Sequence, residues 1–109
     1  MRRAAKVDDN HQTIVGALEA LGWLVWSTAP LGRGFPDVLA AKAGRLVLIE
    51  IKDGAKSPSR RQLTPDELSA HVKFRLAGVH VHVVQRVADL AQIDREAREQ
   101  FETPSLGDF

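Results

Sequence analysis

The feature that most constrains this chain is a pair of apolar runs separated by a short turn. The first run, PDVLAA, covers residues 36–41, and the second, LVLIEIK, covers residues 46–52. Both runs are rich in residues that favour strands, and the segment between them, KAGR, contains a glycine. This pattern predicts an antiparallel β-hairpin.

The register of this hairpin brings charged side chains together. A turn centred between Ala43 and Gly44 places Asp37 directly opposite Glu50. Because side chains alternate across a strand, Lys52 emerges on the same face as Glu50. Like charges that face each other on a sheet repel, so the two carboxylates need a compensating cation. Either Lys52 supplies that charge alone, as a solvated salt bridge, or a divalent metal ion does.

Metal binding would give these residues a definite chemistry. Two carboxylates, a nearby backbone carbonyl and water molecules form a hard oxygen site that suits Mg²⁺ or Mn²⁺. Such an ion can polarise a phosphoryl oxygen and lower the pKa of a bound water molecule. An adjacent lysine can orient that water or stabilise developing negative charge. The set therefore indicates metal-assisted hydrolysis of a phosphodiester.

Periodicity and capping signals predict the order α-β-β-β-α-β-α. The clearest helix start is Thr64-Pro65-Asp66-Glu67, which has the form of a capping box with proline in the first turn. The predicted elements besides the hairpin are a helix at 9–21, a strand at 23–26, a helix at 64–76, a strand at 79–84 and a helix at 87–100. We expect a single α/β domain over residues 1–102 and a flexible tail at 103–109.

Composition excludes several classes of protein. The 109 residues include no cysteine, which excludes a disulfide scaffold and a cysteine-ligated metal site. No apolar run approaches the roughly 18–20 residues of a membrane span, and the N-terminus has no signal-peptide core. We therefore expect a cytoplasmic protein that does not enter the membrane. Residues 1–86 carry a net charge of +5 and residues 87–109 carry −4, which is compatible with binding a polyanion.

Basic residues flank the predicted carboxylates. Arg33 lies in the glycine-rich loop before the hairpin, and Lys56, Arg60 and Arg61 lie in the loop after it. Such side chains can contact the phosphates of DNA, although an ordinary solvated loop would have the same composition.

Histidine and tryptophan pairs have simpler interpretations. His80 and His82 have a spacing that could bind zinc, but no third ligand is evident nearby, which favours ordinary hydrogen-bonded or solvent-facing histidines. Trp23 and Trp26 fall on opposite strand faces, and we expect core packing rather than base stacking for them.

A family resemblance accompanies these patterns. Gly34-Phe35-Pro36-Asp37, followed after a hairpin by Glu50-Ile51-Lys52, resembles the signature of the PD-(D/E)XK nuclease superfamily. The features around it, including Leu-Thr-Pro-Asp-Glu followed by His71, resemble small phage-type proteins close to the VRR-NUC and Holliday-junction-resolvase branches. The resemblance covers roughly residues 6–90. It implies a restriction-endonuclease-like αβββαβ core, with a mixed central sheet flanked by helices.

The resemblance also implies roles for the hairpin residues. Asp37 and Glu50 would bind the metal ion, the Ile51 carbonyl would be a further ligand, and Lys52 would be the catalytic lysine.

Two positions depart from the family pattern. Many relatives carry a first-helix glutamate where this chain has His11, and histidine cannot replace a carboxylate around Mg²⁺ without changing the site. The candidates for that contribution are Asp8, Asp9 and Gln12, or His11 itself through a metal-bound water. Relatives also often carry a glutamine on the helix after the lysine, for which Glu67 or Gln62 is the nearest candidate.

These residues predict a Mg²⁺- or Mn²⁺-dependent nuclease that hydrolyses DNA, with branched or junction DNA as its structure-selective substrate. Junction resolution needs two coordinated cuts, so we expect a homodimer. The alternatives are a non-catalytic nucleic-acid-binding or assembly module with the same fold and, with less support, a Mg²⁺-dependent phosphatase for small molecules.

Overall fold

The computed structural model describes residues 8–102. The predicted tail at 103–109 lies outside the described residues, and the domain boundaries at 1 and 102 stay a prediction. The helices are α1 (His11–Ala20), α2 (Pro65–Leu76) and α3 (Leu90–Glu102), and the strands are β1 (Leu24–Ser27), β2 (Val38–Lys42), β3 (Arg45–Ile51) and β4 (Val81–Val84). Short 3₁₀ turns occupy Ala29–Leu31, Pro58–Arg61 and Val87–Asp89. The predicted order of elements is confirmed.

The four strands form one mixed sheet in the order β1-β2-β3-β4. β1 and β3 are both antiparallel to β2, whereas β4 is parallel to β3. A parallel neighbour requires a crossover connection, and α2 lies in the segment that makes it. The α/β class and the restriction-endonuclease-like arrangement expected from the sequence are therefore confirmed.

The predicted hairpin register is also confirmed. Val38 lies opposite Ile49, and Lys42 lies opposite Arg45. The two turn residues, Ala43 and Gly44, both have positive φ values, 52° and 78°. Positive φ at both central positions matches the right-handed twist of the strands, so this short turn sets the register of the whole hairpin.

One face of the sheet packs against α1 and α3 and forms the core. In β2 and β3 the strand residues of this core cluster alternate, as the pleat requires, and they meet the apolar faces of the two helices. The largest fully buried aliphatic side chains of this cluster are Ile14, Leu18, Val38, Ile49, Ile51, Val84 and Leu90. Because successive side chains of a strand point to opposite faces, Glu50, between Ile49 and Ile51, lies on the face away from this core.

α2 covers only part of that opposite face. It packs beside β4, and its His71 reaches Glu50 on β3. In the part of the chain that the structure describes, the β1 end of this face stays open, so Trp26 is 67% exposed. The expectation of core packing holds for Trp23, which is buried, and is wrong for Trp26, because the helix that could cover Trp26 lies at the other end of the sheet.

A buried carboxylate fastens α3 to the sheet. Asp94 accepts hydrogen bonds from Lys42 Nζ at 2.5 Å and from Trp23 Nε1 at 3.0 Å. Burial alone would raise the pKa of Asp94, but these two bonds outweigh it and lower the pKa.

No helix within residues 8–102 is both long enough and apolar enough to cross a membrane.

Candidate active site

Asp37 and Glu50 lie close together at the end of the hairpin that is furthest from its turn. Asp37 directly precedes Val38, the first residue of β2, and its carboxylate Oδ2 accepts a hydrogen bond from the Ile51 backbone N–H at 2.8 Å. The Asp37 carbonyl accepts a second bond, from the Thr28 N–H, also at 2.8 Å. The first bond holds the Asp37 side chain against the end of β3, beside the carboxyl group of Glu50, and the second ties its backbone to the residue after β1.

Glu50 is the most constrained acidic residue of the site. It is 0% exposed, its Oε1 lies 3.1 Å from His71 Nε2, and its buried Oε2 has no hydrogen-bond partner within residues 8–102. Burial raises the pKa of Glu50 to about 10, with the Asp37 carboxyl and Glu67 adding to the effect. At neutral pH and without metal, Glu50 is therefore protonated.

The donor set fits a divalent cation. A buried carboxylate oxygen without a partner, beside a second carboxylate, is a position where positive charge would be strongly stabilised. Asp37, Glu50 and the Ile51 carbonyl are the hard oxygen donors that Mg²⁺ and Mn²⁺ prefer. No group of three or more His, Asp or Glu side chains among residues 8–102 is arranged to hold a metal. The remaining ligands would therefore have to be water or substrate oxygens.

Lys52 reaches the site from the same face of β3 and is held by α2. Its Nζ donates to Glu67 Oε1 at 2.7 Å. The same oxygen accepts from the Thr64 N–H at 2.8 Å, and Thr64 Oγ1 accepts from the Glu67 N–H, which completes the predicted capping box. Burial alone would lower the pKa of Lys52, but the bond to Glu67 outweighs it and raises the pKa, so Lys52 is charged. Of the two predicted glutamine equivalents, Glu67 lies at the site and Gln62 is exposed on the loop before α2.

These residues open onto a cavity of about 300 Å³. Its walls are formed by Asp8, Asp37, Ile51, Lys52, Lys56, Arg60, Thr64 and Glu67. A larger cavity, of about 560 Å³, lies between β4 and α3 and is lined by residues that include Arg45, His80, His82 and Glu96. The smaller cavity is the candidate active site, because Asp37 and Lys52 line it and Glu50 is buried beside Asp37.

The residues near the start of α1 differ in where their side chains lie relative to the cavity. Asp8 lines the cavity, and burial raises its pKa. Asp9 has an 83% exposed side chain and pairs with Lys56 at 3.5 Å outside the cavity. His11 is buried beneath β1, with Nε2 3.5 Å from Ser27 Oγ, so it does not line the cavity.

Asn10 explains this arrangement. Its side chain does not cap α1; instead Nδ2 donates to the backbone carbonyls of Lys52 and Gln85, both at 3.1 Å. These bonds tie the start of α1 to the ends of β3 and β4, which turns the next residue, His11, towards the core. Of the four candidates near the start of α1, Asp8 is therefore the one that lines the cavity; Asp9 and His11 do not line it, and Gln12 is exposed.

Of the four predicted phosphate-binding residues, two line the cavity and two do not. Lys56 and Arg60 line the cavity. Arg61 is half-buried and its Nη1 donates to Gln85 Oε1 at 2.9 Å, which directs it away from the cavity. Arg33 is exposed in the preceding loop, at a φ of 57°, and is not among the cavity residues.

His71 is the site residue whose contact the sequence did not reveal. The sequence did contain one signal for this contact. Glu67 and His71 are four residues apart, so they share one face of α2. Without knowing that this face of α2 covers Glu50, however, the spacing does not distinguish His71 from any other helical histidine.

Comparison with solved structures finds a similar fold. The chain is similar to a structure described as a VRR_NUC domain, with 29% sequence identity and a TM-score of 0.54. The match covers 84% of this chain and 91% of the other, so nearly the whole of both folds is shared. No family model and no curated protein matches the sequence.

Proposed function

We propose that this chain, which has a VRR-NUC, PD-(D/E)XK-like nuclease fold, is a Mg²⁺- or Mn²⁺-dependent deoxyribonuclease. The observation that carries the proposal is the pairing of buried Glu50 with Asp37 beside a charged lysine, at a cavity that Lys56 and Arg60 also line. Opposed carboxylates destabilise a protein unless they bind something positive. A module that only bound nucleic acid would gain nothing from that arrangement.

Asp37, Glu50 and the Ile51 carbonyl would hold the divalent ion. A bound ion polarises a phosphoryl oxygen and lowers the pKa of water. Lys52, held by Glu67 at the edge of the cavity, would offset the negative charge that builds on the phosphoryl oxygens as water attacks. The reaction adds water across a P–O bond, which leaves one fragment with a phosphate and the other with a hydroxyl group.

Lys56 and Arg60 would contact the phosphates on either side of the reacting one. Both belong to the loop between β3 and α2, and both line the cavity that contains the carboxylates. Arg33, exposed in the loop before β2, would contact the backbone further away. Phosphate contacts of this kind position the substrate without selecting a base sequence, which suits an enzyme that acts on DNA structure.

We further propose branched DNA as the substrate and a homodimer as the active assembly. The argument is one of symmetry: resolving a four-way junction needs two related cuts, and a two-fold dimer supplies two related sites. The molar mass in solution tests the assembly, and a mass equal to one chain would contradict it.

A nicking assay tests the proposal. Supercoiled, linear and four-way-junction DNA would each be incubated with the protein in Mg²⁺, Mn²⁺ or EDTA, alongside Asp37→Asn. We expect cleavage only with metal and none in the variant. Asparagine retains an oxygen that can accept from the Ile51 N–H, so the variant should keep its circular dichroism spectrum and its melting temperature, or melt slightly higher.

The outcomes separate the candidate functions. Binding of DNA without cleavage in either metal would support the non-catalytic module instead. Cleavage by Asp37→Asn at the wild-type rate would remove Asp37 from the site.

A further inference from the structure

α2 presents two side chains to two residues of β3. Glu67 and His71 lie one helical turn apart, and Glu50 and Lys52 lie two residues apart on one strand face. Glu67 Oε1 accepts from Lys52 Nζ at 2.7 Å, and His71 Nε2 lies 3.1 Å from Glu50 Oε1. The helix and the strand therefore match in spacing at both contacts.

The contact to Glu50 is buried on both sides. His71 is 8% exposed and Glu50 is 0% exposed, so water cannot readily replace the imidazole. The other carboxylate oxygen, Oε2, has no hydrogen-bond partner within the described chain. One oxygen of Glu50 is thus held from the α2 side while the other is left for a different partner.

We propose that His71 is a positioning residue, which holds Oε1 of Glu50 so that Oε2 is presented to a divalent ion shared with Asp37. The inference rests on the proposed function, because it assumes that this pair of carboxylates binds the ion. A hydrogen bond from outside the metal shell restricts the orientation of a ligand, and losing one typically weakens metal binding roughly 10- to 100-fold.

The test compares three replacements of His71. The amide nitrogen of His71→Gln can reach about as far as Nε2, that of His71→Asn stops one methylene short, and His71→Leu keeps bulk without a donor. Calorimetric titration with Mn²⁺ measures affinity on the metal-free protein without reference to cleavage. The matched control is His80→Asn, which changes an exposed histidine at the other cavity.

We expect His71→Asn and His71→Leu to bind Mn²⁺ roughly 10- to 100-fold more weakly than wild type, and His71→Gln to recover most of the affinity. The control should bind as wild type does. A role in packing alone would lower the melting temperature in EDTA and leave the Mn²⁺ affinity unchanged. Should the leucine variant fail to fold, the glutamine and asparagine variants still decide the question between them.

Two failures are distinguishable. Wild-type affinity in His71→Asn would overturn the role of His71 and leave the proposed metal site intact. A wild-type protein that binds no Mn²⁺ would overturn the metal site of the proposed function and this inference with it.

Discussion

At Glu50, folding buries a carboxyl group that the unfolded chain leaves in water. Burial and the nearby Asp37 carboxyl raise its pKa from 4.5 to about 10. Between these two pH values the folded state binds more protons than the unfolded state, so the free energy of unfolding falls as pH rises. Without metal, this one residue makes the protein less stable at alkaline pH.

The Glu50→Gln variant removes that pH dependence. In EDTA we expect it to melt at a higher temperature than wild type at pH 8. The difference should shrink as the pH falls below 4.5, where the wild-type carboxyl becomes protonated in the unfolded state as well. The melting temperatures of the variant and of wild type, measured across this pH range, check the prediction. Glu19→Gln, an exposed change on α1, is the control. A difference from wild type that stays constant with pH would contradict the argument.

Lys52 should contribute to chemistry more than to binding. We expect Lys52→Ala to lower the single-turnover cleavage rate by about 10²- to 10⁴-fold at saturating Mg²⁺. Loss of one phosphate contact should reduce DNA affinity only modestly. If Lys52 served only to neutralise the carboxylates around it, of which Glu67 is its direct partner, the variant would instead melt at a lower temperature without metal, and Mg²⁺ would restore both stability and cleavage. A Mg²⁺ titration that follows both quantities separates the two roles.

Among the elements, the glycine-rich loop before β2 and the first turn of α2 depend on each other. Gly34 has a φ of +80°, and a Cβ atom there would lie 2.3 Å from the backbone carbonyl group of Asp66. The adjacent Phe35 packs edge-on against Phe74, with ring centroids 5.7 Å apart. The loop therefore sets where α2 begins, and so where Glu67 meets Lys52.

Substitution of Gly34 tests this contact. Gly78 has a similar φ, +85°, but no atom within 4 Å of an added Cβ, so Gly78→Ala measures backbone strain alone, about 1–2 kcal/mol. Gly34→Ala adds a collision with backbone, and we expect it to cost about 3 kcal/mol or more. Urea denaturation of both variants gives the comparison. Equal losses of stability would show that the loop yields without moving α2.

For the molecule as a whole, the basic side chains of the loop after β3 are divided between the cavity and a contact within the fold. Lys56 and Arg60 face the cavity, whereas Arg61 is bonded to Gln85. Four of the acidic residues after residue 86, Asp94, Glu96, Glu99 and Glu102, lie on α3, which packs on the other face of the sheet from α2. The sheet therefore separates these acidic residues from α2, whose Glu67 lines the cavity.

The salt dependence of DNA binding distinguishes Lys56 and Arg60 from Arg61. With Lys56 and Arg60 both replaced by alanine, we expect the slope of log affinity against log salt to flatten by about 2, one unit for each phosphate contact. Arg61→Ala should leave the slope unchanged and lower the melting temperature, because it removes a half-buried bond. A slope that stayed at the wild-type value in the double variant would make Lys56 and Arg60 ordinary surface residues.

Local patterns were sufficient to predict much of this protein. The hairpin register follows from a two-residue turn and the alternation of side chains, and it placed Asp37, Glu50 and Lys52 together before any tertiary contact was known. The capping box at Thr64 likewise predicted where α2 begins. Both signals act over a few residues, where backbone geometry allows few alternatives.

Tertiary packing decided the rest. Trp26 is exposed and His71 contacts Glu50 for the same reason, namely that α2 lies over the β4 end of the sheet and not over β1. Arg61 bonds to Gln85 and His11 is buried because distant segments meet them there. The sequence by itself determined which side chains share a strand or a helix face, since that depends on a fixed period. Which face another element covers depends on how all the elements pack together, and no local pattern contains that information.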